Sequence, residues 1–386
     1  MRRVYLDHTA TTPLDPRVME AMRPCFSGTF GNASSIHAYG REAREMLEKA
    51  RGIIAGAVGA EPGEVIFTSG GTEADNLAVA GVMAAASGRD GIVTSQAEHH
   101  AVLEPCRLMA EKGKRVAFLP VTGGGAVDMD ALARGVGGDT ALVSIMHANN
   151  ETGTVSDIRA VAALAHGAGA LLHTDAVQSA GKIPFDMKGL GADLVSLSAH
   201  KMYGPKGIGA LVVRRGTPLE AILHGGGQER GRRPGTENVP LAVGFAEAFT
   251  LSLLGMEEEA VRVGALRDAL ETRLRETFPG IIVNGDPASR LPHILNVSFS
   301  PAAYPLEGDM LVMNMDLEGI AVTSGSACTS GSLEPSHVVR AMGRDEKTAK
   351  ATLRFSFGRG NTIEDVSYAA EKLALVVGRM LKKRSP

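Results

Sequence analysis

Between about residues 60 and 215, short apolar runs alternate with stretches whose apolar positions recur at helical spacing. The runs at 64–68, 91–95, 115–121, 141–147, 170–174, 193–198 and 209–214 predict strands, and the stretches at 72–86, 102–112 and 158–166 predict helices. Such alternation predicts an α/β fold, a mostly parallel sheet with helices on both faces. Beyond about residue 255 the pattern changes to a long charged helix over 256–278, strands at 281–284 and 293–298, a helix at 307–318, a strand at 351–356 and a last helix over 363–383. This reads as a second, α+β domain. The first dozen residues are too short to stand alone and are expected to pack on it. The expected division is a large domain over 13–255 and a smaller one made of 1–12 and 256–386.

The reactive residues cluster at strand ends. Ser69-Gly70-Gly71-Thr72 follows the first predicted strand and His99 the second; Asn149-Asn150, Asp175 and His200-Lys201 follow later ones. Open α/β sheets bind ligands outside the carboxyl ends of their strands, so polar groups from five strand ends are expected to meet in one crevice.

Composition narrows the function. A formal net charge of −3 over 386 residues excludes a global attraction to nucleic acid or acidic membranes, and the Lys382-Lys383-Arg384 tail reads as a solvated helix end. The three cysteines, Cys25, Cys106 and Cys328, form no CxxC pair, which argues against a disulfide framework or a thiolate metal site. A reducing cytoplasm fits this usage. Arg2-Arg3 is followed by no apolar stretch of the kind a secretory signal needs, and the most apolar helical stretch, 243–254, carries Glu247 and is too short to span a bilayer.

Each candidate has a plain reading beside a chemical one. The Ser69–Thr72 turn either caps a helix or cradles a phosphate; the absence of a following Lys-Ser or Lys-Thr argues against a nucleotide loop. Asp175 either caps a helix or holds a ring nitrogen protonated. Lys201, at the mouth of an apolar strand, is either solvated or a nucleophilic amine, with Lys206 in the Pro205–Gly207 loop as its structural rival. His99 is either a packed core histidine or a flat ring that stacks on a ligand and carries protons. Arg354, within an apolar strand, needs an anion, supplied by a salt bridge or by a substrate carboxylate. Cys328 sits among small polar residues, unlike Cys25 and Cys106, which lie in helical stretches with apolar neighbours. That places Cys328 on a loop, where a thiol can act as a nucleophile, and assigns the other two to packing.

Together the motifs carry a resemblance. The runs 6–13 (Leu-Asp-His-Thr-Ala-Thr-Thr-Pro), 30–37, 68–76, 148–154, 173–178, 200–207, 228–238 and 324–337 make the whole chain resemble a cysteine desulfurase of the NifS/IscS type, in the class V aminotransferase group. The resemblance implies the pyridoxal 5′-phosphate (PLP)-dependent transferase fold of type I and the conversion of L-cysteine to L-alanine. It makes Lys201 the residue that bonds the cofactor, His99 the stacking histidine and Asp175 the partner of the ring nitrogen. Gln178 and Asn150 lie near the ring hydroxyl and substrate, and Gly71, Thr72, Ser198 and His200 form the phosphate cup. Thr236 reaches the phosphate of the other subunit of a homodimer. Arg354 clamps the substrate carboxylate with Asn32 and Asn150 nearby, and Cys328 takes the sulfur as a persulfide on a long mobile loop. A sulfur-acceptor protein, an iron–sulfur scaffold or a thiolation enzyme, is the implied partner. A selenocysteine lyase, another β-eliminating enzyme and a non-catalytic adaptor are the alternatives. His8-Thr9 departs from the family pattern and is expected at the substrate entrance, away from the catalytic positions. Gly71, where Ala or Cys is common, is expected to leave phosphate binding intact.

Overall fold

The computed structural model describes residues 2–325 and 334–382. Among them, β2 (Val65–Thr68), β3 (Gly91–Ser95), β4 (Arg115–Leu119), β5 (Thr140–Ser144), β6 (Leu171–Asp175), β7 (Leu194–Ser198) and β8 (Gly209–Val213) form one sheet in the order β2-β8-β7-β6-β5-β3-β4. All neighbours run parallel except β8, which is antiparallel to both β2 and β7. Helices cover both faces, so the central strands are buried from end to end and read as runs of Val, Leu and small residues. Helices Gly71–Ala85 and His100–Glu111 pack on one apolar cluster with Ile66, Ile92 and Leu211, while Ala38–Ala57 and Val239–Leu254 pack on another with Phe67, Val195 and Leu197.

The expected helices and strands occur with shifted ends. The strand read over 141–147 closes at Ser144, yet Ile145 and His147 still donate to the carbonyls of His173 and Asp175, carrying the chain to the sheet's edge. The helix read over 307–318 opens with a tight turn at Gly308–Met310 before Leu311–Leu317. A Cβ on Gly308 would stand 2.4 Å from the Lys350 carbonyl carbon, so this turn needs glycine for close backbone approach.

A second core lies beyond residue 255. Strands β9 (Ile282–Asn284), β10 (Ile294–Ser298) and β12 (Thr352–Ser356) form an antiparallel sheet in the order β12-β10-β9. Helix Met256–Thr277 places Leu266, Leu270 and Leu274 in this core at four-residue spacing, and Ile363–Lys382 adds Val366, Leu373 and Val377. The N-terminal β1 (Val4–Tyr5) pairs in parallel with β11 (Ile320–Ala321), and Asp7 bridges to Ser356. From there residues 8–12 cross to the carboxyl ends of β6 and β7, where Thr12 N donates to the His200 carbonyl at 3.0 Å.

Candidate active site

At the carboxyl edge of the large sheet lies a cavity of about 190 Å³. Lys201, Asp175, His99, Gly71, Thr72, Asn150, Gln178, Ser198, His200 and Arg354 all line it. Two described residues do not. Asn32 is exposed, its Oδ1 accepting from Ser34 N at 2.8 Å, and Thr236 is exposed beside a separate cavity with Ser69 and Arg233. Cys328 lies outside the described residues.

Local chain geometry explains each placement. β7 ends at Ser198 and turns through Ala199–Lys201, lifting the Lys201 side chain off the sheet. Its Nζ donates to the carbonyls of Thr9 (2.5 Å) and Ala10 (2.8 Å). Thr9 O also accepts from Gln178 Nε2 at 3.0 Å. The expectation that His8-Thr9 stands apart from the catalytic positions is therefore corrected. The Thr9 main chain touches two of them, and His8 is buried beside Tyr5, with ring centroids 4.9 Å apart, rather than standing at an entrance. Lys206 is exposed and does not line the cavity.

Asp175, last in β6, is buried and accepts from Val177 N at 2.8 Å. Burial raises its pKa to about 6, a carboxylate ready to gain from a cationic ring nitrogen. Beneath it Asp75 is pushed well above the carboxylate range, by burial first and then by the Asp175 charge. His99 caps helix His100–Glu111, its Nδ1 accepting from Ala101 N at 3.1 Å. That bond leaves the proton on Nε2, and burial, then the Lys201 charge, lowers the ring's pKa to about 4, so the imidazole is neutral at pH 7.

Gly71 and Thr72 open a fifteen-residue helix whose first N–H groups face the cavity end of the sheet. A Cβ on Gly71 would stand 2.9 Å from Val177 Cγ2, so Ala there demands that Val177 move. Arg354, only 2% exposed, donates from Nη1 to Asn150 O (2.9 Å) and from Nη2 to Asp7 Oδ1 (2.8 Å). Asp7, Asp75, Thr9 and Ala10 were not singled out as site residues from sequence. Two of them act through main-chain carbonyls, which leave no side-chain signature.

Residues 4–368 match the family model described as Aminotransferase class-V. The chain belongs to that family. A cysteine desulfurase IscS of Dictyoglomus turgidum is 46% identical over 98% of this chain and 95% of its own length. A solved NifS-like protein superposes with a TM-score of 0.90 at 38% identity, covering 98% of this chain and 100% of that one. A structure described as SspA in complex with cysteine gives a TM-score of 0.80 at 33% identity over 92% of this chain and 99% of that one. The fold-type expectation and the NifS/IscS resemblance thus hold across the chain.

Class V aminotransferases of this kind are PLP enzymes, and the cavity fits that group. A helix N-terminus suits its phosphate, Asp175 suits its ring nitrogen, and Lys201 suits its aldehyde. Gln178 Oε1, Asn150 Oδ1 and Arg354 Nε are buried on the cavity wall without a hydrogen-bond partner among the described residues, as expected of groups that serve a ligand.

Proposed function

We propose that this protein is a PLP-dependent cysteine desulfurase that converts L-cysteine to L-alanine and takes the sulfur on Cys328. The observation that carries this reading is the convergence of Lys201, Asp175, His99 and Arg354 on one cavity, in a chain matched from end to end by desulfurases. When bound, the cofactor supplies an electron sink beside the substrate's Cα and Cβ. Arg354 binds and orients the substrate carboxylate through the N–H groups that Asp7 and the Asn150 carbonyl leave unused, with Asn150 beside it. Asp175 holds the ring nitrogen protonated. Lys201 Nζ takes the α-proton, and His99 Nε2–H donates toward the ring or the departing sulfur. The Cys328 thiolate attacks the substrate sulfur. An S–S bond forms as the Cβ–S bond breaks, and the carbon fragment leaves as alanine after protonation, so cysteine plus thiol becomes alanine plus persulfide.

The rest of the reading rests on the family resemblance. Thr236 reaches the cofactor phosphate of the second subunit in a homodimer, Asn32 lies near the substrate, and residues 1–12 with 256–386 act as the smaller domain. An iron–sulfur scaffold or a thiolation enzyme accepts the sulfur in the cytoplasm. Among the described residues no single helix is long and apolar enough to cross a membrane.

The test uses the purified holoenzyme with L-cysteine. One alanine per sulfur transferred, a mass increase of one sulfur on the Cys328 peptide, and borohydride fixation of the cofactor on Lys201 are expected. Fixation on Lys206, or release of sulfur with pyruvate in place of alanine, overturns the reading.

A further inference from the structure

A second cavity, of about 430 Å³, lies between helix Val239–Leu254 and the start of the C-terminal core. Lys182, Met202, Tyr203 and His293 are among its lining residues. It adjoins the proposed active site without belonging to it: Lys201 lines the one cavity, and Met202 and Tyr203, next in the chain, line the other. Lys182 joins them, its Nζ donating to the Lys201 carbonyl at 2.8 Å.

The cations on this wall are held unequally. Arg17, Lys182, Arg262 and Arg359 line the cavity with Glu258 and Glu259. Asp15 holds Arg17 and Arg359, each at 2.7 Å, and Glu259 takes the fork of Arg262 at 2.9 Å through both oxygens. Lys182 is the lining cation whose hydrogen bond goes to a neutral carbonyl rather than to a carboxylate, while Glu259, the acid that acts on it, is already taken up in the Arg262 fork. Nearby His293 is 3% exposed, and its Nε2 has no hydrogen-bond partner among the described residues. A donor-only ammonium and an uncommitted imidazole nitrogen, on a wall completed by Met202, Val263 and Phe357, suit an anion and not a cation.

We propose that this cavity is a binding site for a small oxyanion, a carboxylate or a phosphate, held by Lys182 Nζ and His293 Nε2. Such an ion accepts from the Lys182 ammonium and satisfies the orphaned ring nitrogen. Burial first, and the Lys201 charge second, lower the Lys182 pKa to about 8, so the ammonium is present at pH 7 and is stabilised by an anion. The occupant also rests against Met202 and Tyr203, which ties the site to the segment that carries Lys201.

The chain contains no tryptophan, and Leu254, 81% exposed, lines this cavity, so Leu254→Trp places the one tryptophan at the site. The L254W holoenzyme, its cofactor phosphate site filled, is titrated separately with acetate and with inorganic phosphate at constant ionic strength. A saturable emission change with one ion per protomer is expected, and the tighter of the two probes assigns the chemistry. Adding Lys182→Met should weaken it at least tenfold. Should that variant fail to fold, adding His293→Gln instead should weaken it several-fold. The inference is overturned by a response that does not saturate, or by one that the folded variants leave unchanged. The readout is binding, so it stands or falls apart from desulfurase activity.

Discussion

The Arg354 guanidinium is committed to Asp7 before any substrate arrives: Nη2 donates to Asp7 Oδ1 at 2.8 Å, across 347 positions of sequence. With Nη1 on the Asn150 carbonyl, the planar fork is held rigid and Nε is left without a partner among the described residues. A lysine offers a point charge and cannot hold Asp7, Asn150 and a carboxylate together. Arg354→Lys should therefore raise KM for cysteine at least tenfold while cofactor absorbance at saturation stays normal. Steady-state kinetics beside an absorbance titration checks this, and an unchanged KM removes Arg354 from substrate binding.

Glu229 and Arg51 form a buried pair, Nη1 to Oε2 at 2.7 Å and Nη2 to Oε1 at 2.8 Å. Oε2 also accepts from Phe67 N at 3.0 Å, which ties the 228–238 segment to β2. Breaking one side of a buried pair costs about 3–5 kcal/mol, and here Arg51 would keep only the exposed Glu48, Nε to Oε1 at 3.2 Å. Glu229→Gln should lower the stability to denaturant by about that amount. A loss under about 1 kcal/mol would mean that water replaces the carboxylate.

Glu98 is fully buried, accepting from Ser95 Oγ (2.7 Å) and Met146 N (2.9 Å), and burial pushes its pKa up to about 8. A carboxyl raised in the folded state adds stability that is full below its unfolded pKa of about 4.5 and is lost as pH rises through 8. A glutamine side chain at this position mimics the protonated form, its carbonyl facing Met146 N and its amide facing a Ser95 hydroxyl that can turn to accept. Between pH 4.5 and 8, Glu98→Gln should thus gain on the parent by up to about 1.4 kcal/mol per pH unit. Denaturation series at several pH values decide it; parallel curves would place an ionised carboxylate there throughout.

Cys106 is buried with its pKa pushed up to about 12, by burial first and by Glu98 and Asp75 next, and burial also raises the buried Cys25. Neither offers a thiolate at neutral pH. Cys328→Ala should keep the cofactor's colour and lose alanine production from cysteine by at least a hundredfold, retaining some activity on selenocysteine, whose C–Se bond is weaker. Cys25→Ala and Cys106→Ala should stay within about twofold of the parent in alanine assays, since both thiols remain protonated. Persulfide found on Cys106 by mass spectrometry would reverse the assignment.

Much of this was legible in the chain itself. The switch between strand runs and helical spacing foretold the sheet and its helices, because a strand buried on both faces must be apolar throughout and a covering helix on one side only. Lys201, Asp175 and His99 could be placed together because the residue after a parallel strand arrives at a common edge whatever the order of the strands. The run 141–147 overshoots β5 because Ile145 and Met146 continue the apolar pattern while the chain has already begun to leave the sheet.

What the tertiary structure alone decided is who meets whom across long separations. Sequence announces an arginine that needs an anion, and the fold names Asp7, brought there by the pairing of β1 with β11. It announces a lysine at a strand end, and the fold sets two backbone carbonyls on it from more than 190 residues away. It shows Lys182 as one more lysine after a turn, and the fold sets its ammonium on the Lys201 carbonyl. Period and turn chemistry are local and survive in the order of residues. Main-chain acceptors and orphaned buried nitrogens belong to no residue type, and exist only once the chain has closed around them.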